Sequence, residues 1–142
     1  MSTVWHSEQG RVSVEVRGPR ALLVTYVGAI TGPSLQAVMP ALTHALARTS
    51  SPTLFVDVQQ MRTYSPDVRI ETALFWKRHI NRLSAIQVLV DPGARLITMG
   101  VAVMNLAIGG IARTTKDRAV FTRELTAAAE IESRREPGRA VA

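Results

Sequence analysis

The chain has 142 residues, 46% hydrophobic and 20% charged, the balance of a single globular domain able to bury its own core; that domain is expected over residues 1–132, with a flexible tail over 133–142. The absence of cysteine excludes disulfides and thiolate zinc centres. The net charge of +6 is spread from Arg11 to Arg139 with no Lys/Arg block and no aromatic stacking platform, so nucleic-acid binding is disfavoured.

The opening segment Val4 to Glu8 reads as a short strand, followed by a turn at Gln9-Gly10. From Arg11 to Arg17 the residues alternate, with Val12, Val14 and Val16 on one face and Ser13 and Glu15 on the other, as in a half-buried strand. After the Gly18-Pro19-Arg20 turn, Ala21 to Val27 forms its more apolar neighbour, expected to be antiparallel. Thr31-Gly32-Pro33-Ser34 opens a helix whose Leu35, Val38, Met39, Leu42 and Leu46 recur at helical spacing, with Pro40 inside it. Thr53 to Val58 is a continuous apolar run, the pattern of a strand covered on both faces. Gln59 to Tyr64 reads as a loop, and Ser65-Pro66-Asp67 as a helix start with Ser65 at the N-cap. That helix is expected to reach about Leu83, with Ile70, Ala73, Leu74, Lys77 and Ile80 on one side. Ala85 to Val90 is a further buried strand, Arg95 to Ile108 a third helix stopped by Gly109-Gly110, and Ile111 to Thr114 a short strand. A last helix, capped by Thr115, runs from about Lys116 to Ile131 with Phe121, Leu125 and Ala128 inward. The order β-β-β-α-β-α-β-α-β-α is that of an α/β domain. It implies a mixed sheet, parallel after an antiparallel start.

Chemistry-bearing patterns are missing. His6, His44 and His79 stand on separate elements without a partner at ligand spacing, and there is no phosphate loop, dinucleotide fingerprint or nucleophile elbow. No catalytic residue, metal or cofactor is expected. Asp57 and Asp91 fall at the carboxyl ends of adjacent strands, where open α/β sheets hold ligands. The companions needed for a phosphoacceptor site are lacking, so they read as a loop anchor and a Pro-Gly turn residue. The greasiest stretch, Ile97 to Ile111, is shorter than the ~20 residues a bilayer needs and is broken by Gly100, Gly109 and Gly110. With no signal-peptide pattern at the N-terminus, no membrane span and a cytoplasmic location are expected.

The unusual element is the helix Arg95 to Ile108, whose only polar residues after Arg95 are Thr98 and Asn105. A surface helix normally keeps a polar face. This one is expected to present an apolar patch to another molecule, with self-association the simplest form.

The order of elements, the run Leu54-Phe-Val-Asp-Val-Gln-Gln-Met-Arg-Thr-Tyr-Ser-Pro-Asp-Val68 and the closing Phe121 helix resemble the SpoIIAA-like, or STAS, domains, which include bacterial anti-sigma-factor antagonists. The resemblance covers about Arg11 to Ile131. The stretch Arg95 to Ile108 also resembles a helix of uncharacterised bacterial members of that group. The resemblance implies a SpoIIAA-like α/β fold, a mixed sheet of about five strands with four helices, and a non-enzymatic regulatory module that docks a protein partner, with a homo-oligomer expected. In that family an Asp-Ser-Ser-Gly-like quartet between a strand and a helix carries a serine phosphorylated by a partner kinase. Read without gaps from Asp57, this chain has Ser65-Pro66-Asp67-Val68 there, so the family position falls on Pro66 or Asp67, and Ser65 is left as the candidate phosphosite. The expected partner-binding residues are Arg62, Tyr64, Ser65, Asp67 and Arg69 at the 59–69 loop-helix junction, and Met99, Val103 and Met104 on the 95–108 helix. The alternative is a small-molecule or lipid-binding domain, by analogy with carrier folds.

Overall fold

The computed structural model describes the backbone of residues 2–141 and the side chains of residues 3–131. Six strands lie side by side in chain order: β1 (Ser2–His6), β2 (Gly10–Val16), β3 (Ala21–Ile30), β4 (Thr53–Tyr64), β5 (Ala85–Leu89) and β6 (Ala112–Thr115). The first three pair antiparallel, and β3 to β6 run parallel. Helices α1 (Gly32–Ala47), α2 (Pro66–His79) and α3 (Arg95–Ala107) form the crossovers, and α4 (Arg118–Val141) closes the chain. The tail expected over 133–142 falls on residues whose side chains lie outside the described set.

Strand periodicity builds two cores. Leu22, Val24 and Tyr26 of β3, Leu54 and Val58 of β4, and Ile86 and Val88 of β5 point to one face, where α1, α2 and α3 pack. The residues between them, Ala21, Leu23, Phe55 and Leu89, point to the other and meet Phe121 and Leu125 of α4. Phe55 and Phe121 touch edge-to-face at 5.6 Å between ring centres. The first face thus carries three helices and the second only one.

Helix α1 follows its sequence pattern closely. Leu35, Val38, Leu42 and Leu46 are buried. Thr31 and Ser34 form a reciprocal cap, each hydroxyl accepting from the other's backbone N–H at 3.4 and 2.8 Å. The loop expected at Gln59 to Tyr64 is instead the far half of β4. Strand β3 continues to Ile30, and β4 pairs with it as far as Tyr64 through two register shifts, each placing an extra residue on β4. Asp57 supports the first irregularity. Its buried carboxylate accepts from the Gln59 N–H at 3.0 Å and from Arg118 at 2.9 Å, tying β4 to the start of α4. The expected cap of that last helix also moves: Asp117, not Thr115, accepts from the N–H groups of Ala119 and Val120.

Helix α2 ends at His79, and a 3₁₀ turn covers Ile80–Arg82. Its buried face is Val68, Thr72, Phe75 and Trp76, while Ile70 and Leu74 are exposed. The aliphatic stripe expected on one side is turned largely outward, because the larger Phe75 and Trp76 rings, packed edge-to-face at 4.9 Å, remove more apolar surface from water.

Candidate functional site

The expected site residues separate into three groups. Arg62 is exposed on β4. Ser65 and Asp67 sit where β4 passes into α2, and the Ser65 N–H donates to the Ile30 carbonyl at 3.1 Å. Ser65 occupies the N-cap, yet its hydroxyl makes no capping bond. Its Oγ is buried with no hydrogen-bond partner among the described residues. The cap role read from the sequence therefore holds for position and not for the hydroxyl. The Asp67 carboxylate packs against Gly32, in the space that a Cβ there would take. Helix α1 has no acidic residue of its own in the first turn, so Asp67 places negative charge at the N-termini of both α1 and α2.

The second group converges on a cavity between α2, α3 and the sheet. Tyr64, Arg69 and Met104 line it with Tyr26, Trp76 and Val101. Gly100 lets α3 come down onto Tyr64, whose ring occupies the space a Cβ would need. The Tyr64 hydroxyl donates to the Leu96 carbonyl at 3.4 Å. The 59–69 junction and α3 are thus in direct contact. Burial pushes the Tyr26 phenol up to about 12, as expected beneath an apolar roof. The cavity holds about 70 Å³, far below the roughly 300–1,000 Å³ of sites for drug-sized ligands.

The third group is the outer face of α3. Met99 and Val103 lie there, 63% and 47% exposed, between the still more exposed Leu96 and Leu106 at 74% and 80%. The helix is held inward by Ile97, Val101 and Ile108. Its two uncharged polar side chains are engaged with backbone. Thr98 donates to the Ala94 carbonyl at 3.0 Å, and Asn105 makes a two-way bridge to Ala112 at 2.9 and 3.0 Å. Beyond Arg95 in the first turn, no polar side chain of α3 remains to shield the outer stripe. Covering its four side chains would contribute about 1–2 kcal/mol each. Leu96 and Leu106 are the functional candidates that the sequence reading of the site omitted. Their signal is the spacing 96, 99, 103, 106, a second apolar stripe opposite the core-facing one.

The two aspartates behave as backbone anchors. Asp91 accepts from the Gly93 N–H at 3.0 Å, and Asp57 is committed to Gln59 and Arg118. Among the described residues no group of three or more His, Cys, Asp or Glu side chains could hold a metal ion, and no helix is long and apolar enough to cross a membrane.

No protein-family model and no curated protein matches the chain. A solved structure does. An uncharacterised protein of the DUF3478 family from Shewanella loihica PV-4, described as having a SpoIIAA-like fold, is similar with a TM-score of 0.60 and 16% identity. The match covers 88% of this chain and 92% of that one. Sheet order, the three-plus-one arrangement of helices and this likeness agree: the chain has a SpoIIAA-like, or STAS, fold.

Proposed function

We propose that this domain is a non-enzymatic regulatory module that works in the cytoplasm by docking a protein on the outer face of α3. The observation that carries the reading is the uncovered stripe Leu96, Met99, Val103 and Leu106 on a helix whose uncharged polar side chains are already engaged. The SpoIIAA-like fold supports a regulatory role by analogy. Tyr64 and the 59–69 junction brace α3 from below, so a change at the junction would be felt at the docking face. A kinase would reach Ser65 only after the β4–α2 junction opens, because the hydroxyl is buried.

The test is co-purification of tagged wild type beside Val103→Glu from the native cell extract, with matched thermal melts. The variant is expected to melt like the wild type and to lose a bound protein. Retention of every partner would remove α3 as the docking face. The second reading, a small apolar ligand or lipid, draws on the apolar cavity, although its size favours the first. Native mass spectrometry showing added ligand mass on the purified protein would reverse that order.

A further inference from the structure

We infer that the stripe on α3 is covered by the same stripe of a second copy of this chain, the two helices packing antiparallel about a twofold axis that crosses the outer face at the level of Val101. The inference rests on the reading of α3 as a docking face and specifies its occupant.

Two observations select a second copy. The first is spacing. Leu96, Met99, Val103 and Leu106 are separated by three, four and three residues, a pattern that reads the same in both directions. Reversing one helix about Val101 sets Leu96 against Leu106 of the partner and Met99 against Val103 of the partner. An isologous interface needs such a self-complementary patch, and the alternation of three and four is the seam spacing of paired helices. The small residues Ala102 and Ala107 flank the stripe and permit close approach of the two backbones.

The second is charge. Arg95 is the only charged residue of α3. It stands in the first turn, the positive end of its own helix, with no acidic residue beside it in that turn. Among the described residues it forms no ion pair. In the antiparallel pair each Arg95 reaches the C-terminal turn of the partner's α3, where carbonyl groups present the negative end of the helix dipole. A parallel pair would set the two Arg95 side chains together. The occupant must therefore offer an uncharged apolar strip ending in an electronegative terminus, and α3 itself is such a surface.

A helix of this length spans about 20 Å. A contact of one helix width along it falls short of the roughly 800 Å² per partner in a standard interface. The pair accordingly falls in the size class of small, reversible contacts.

The chain has no cysteine, so single introduced cysteines report the packing without background. Sedimentation velocity of the full chain from micromolar to millimolar concentration should show a monomer–dimer equilibrium, weakened at least about tenfold by Val103→Glu. Oxidised mixtures of Leu96→Cys and Leu106→Cys should cross-link, while either variant alone should not. In the antiparallel pair, like positions are about 15 Å apart, against the roughly 4.4–6.8 Å that a disulfide requires between Cα atoms. Cross-linking of either variant alone as readily as the mixture would overturn the antiparallel pair. A chain that stays monomeric at every concentration would overturn the second copy altogether. In that case, loss of a bound protein by Val103→Glu in the extract would show that the docking face stands with another occupant, and retention would show that the docking face fails too.

Discussion

Helices α1 and α3 are both rich in apolar residues, and they use them differently. Leu35, Val38, Leu42 and Leu46 of α1 are all turned inward and buried, and its outer face carries Gln36, Thr43 and His44. Helix α3 buries Ile97, Val101 and Ile108 and then repeats the apolar chemistry on its outer side. Fold stability accounts for every aliphatic residue of the first set. It does not account for Leu96 or Leu106. The same residue types thus carry different meanings, and the difference is what lies against them.

The sharpest way to break this contrast is a pair of matched truncations. Leu42→Ala should destabilise the fold by about 2–5 kcal/mol, whereas Leu106→Ala should stay within about 0.5 kcal/mol, both read from denaturant unfolding at low protein concentration. Equal losses would mean that α3 hides its outer stripe in the isolated chain.

The core beneath α3 offers a second contrast. If its cavity is as dry as the packing beneath α1, Tyr26 will not ionise in the folded state near the ordinary tyrosine value of 10. The phenol is raised to about 12 by burial, so its contribution to stability is complete below pH 10 and is lost as the pH climbs from 10 toward 12. The loss is on the order of 2–3 kcal/mol. Ultraviolet titration of the Tyr64→Phe variant, in which Tyr26 is the one remaining tyrosine, beside a stability curve would check it, and tyrosinate appearing near pH 10 with the fold intact would mean that water enters beneath α3.

Seating of α3 on the β4–α2 junction is tested by Gly100→Ala. The new methyl meets the Tyr64 ring, and a cost of about 1–3 kcal/mol is expected. Part of it should be recovered in the double variant with Tyr64→Ala, as a coupling in a double-mutant cycle. Additive losses would disconnect the junction from the helix. The smallest effect concerns α2. His79, tilted over Phe75 at 4.5 Å, is held below the usual histidine range by partial burial and by Arg82 and Arg78. Its ring resonances should therefore titrate at lower pH than a free imidazole, by NMR, and a normal midpoint would mean that burial and the two arginines do not act on the ring in solution.

Strands β2 and β3 and helix α1 were legible because a single period governs each of them, two for the valines of β2 and 3.6 for the leucines of α1. The far half of β4 was hidden because its two extra residues break that alternation, and Gln59-Gln60 looks like a loop when the partner strand cannot be seen. On α2 the aliphatic positions drew attention away from Phe75 and Trp76, whose rings decide how the helix rolls. Of the candidate site, Met99 and Val103 were visible from the lack of a polar face on α3. The meeting of Tyr64, Arg69 and Met104 at one cavity depends on contacts between elements about 35 residues apart, as in the Tyr64–Leu96 hydrogen bond across 32 positions, and no local pattern encodes it.

Every strand of the sheet pairs only with its neighbours in the chain. During synthesis the sheet can therefore lengthen one strand at a time behind the ribosome, each addition closing either a hairpin or a single helical crossover of roughly twenty residues. The second face has a different history. Ala21, Leu23, Phe55 and Leu89 are in place once β5 has joined, but Phe121 and Leu125 arrive last. Through that interval the nascent chain exposes a greasy sheet surface to its neighbours and to chaperones, and emergence of α4 ends the exposure.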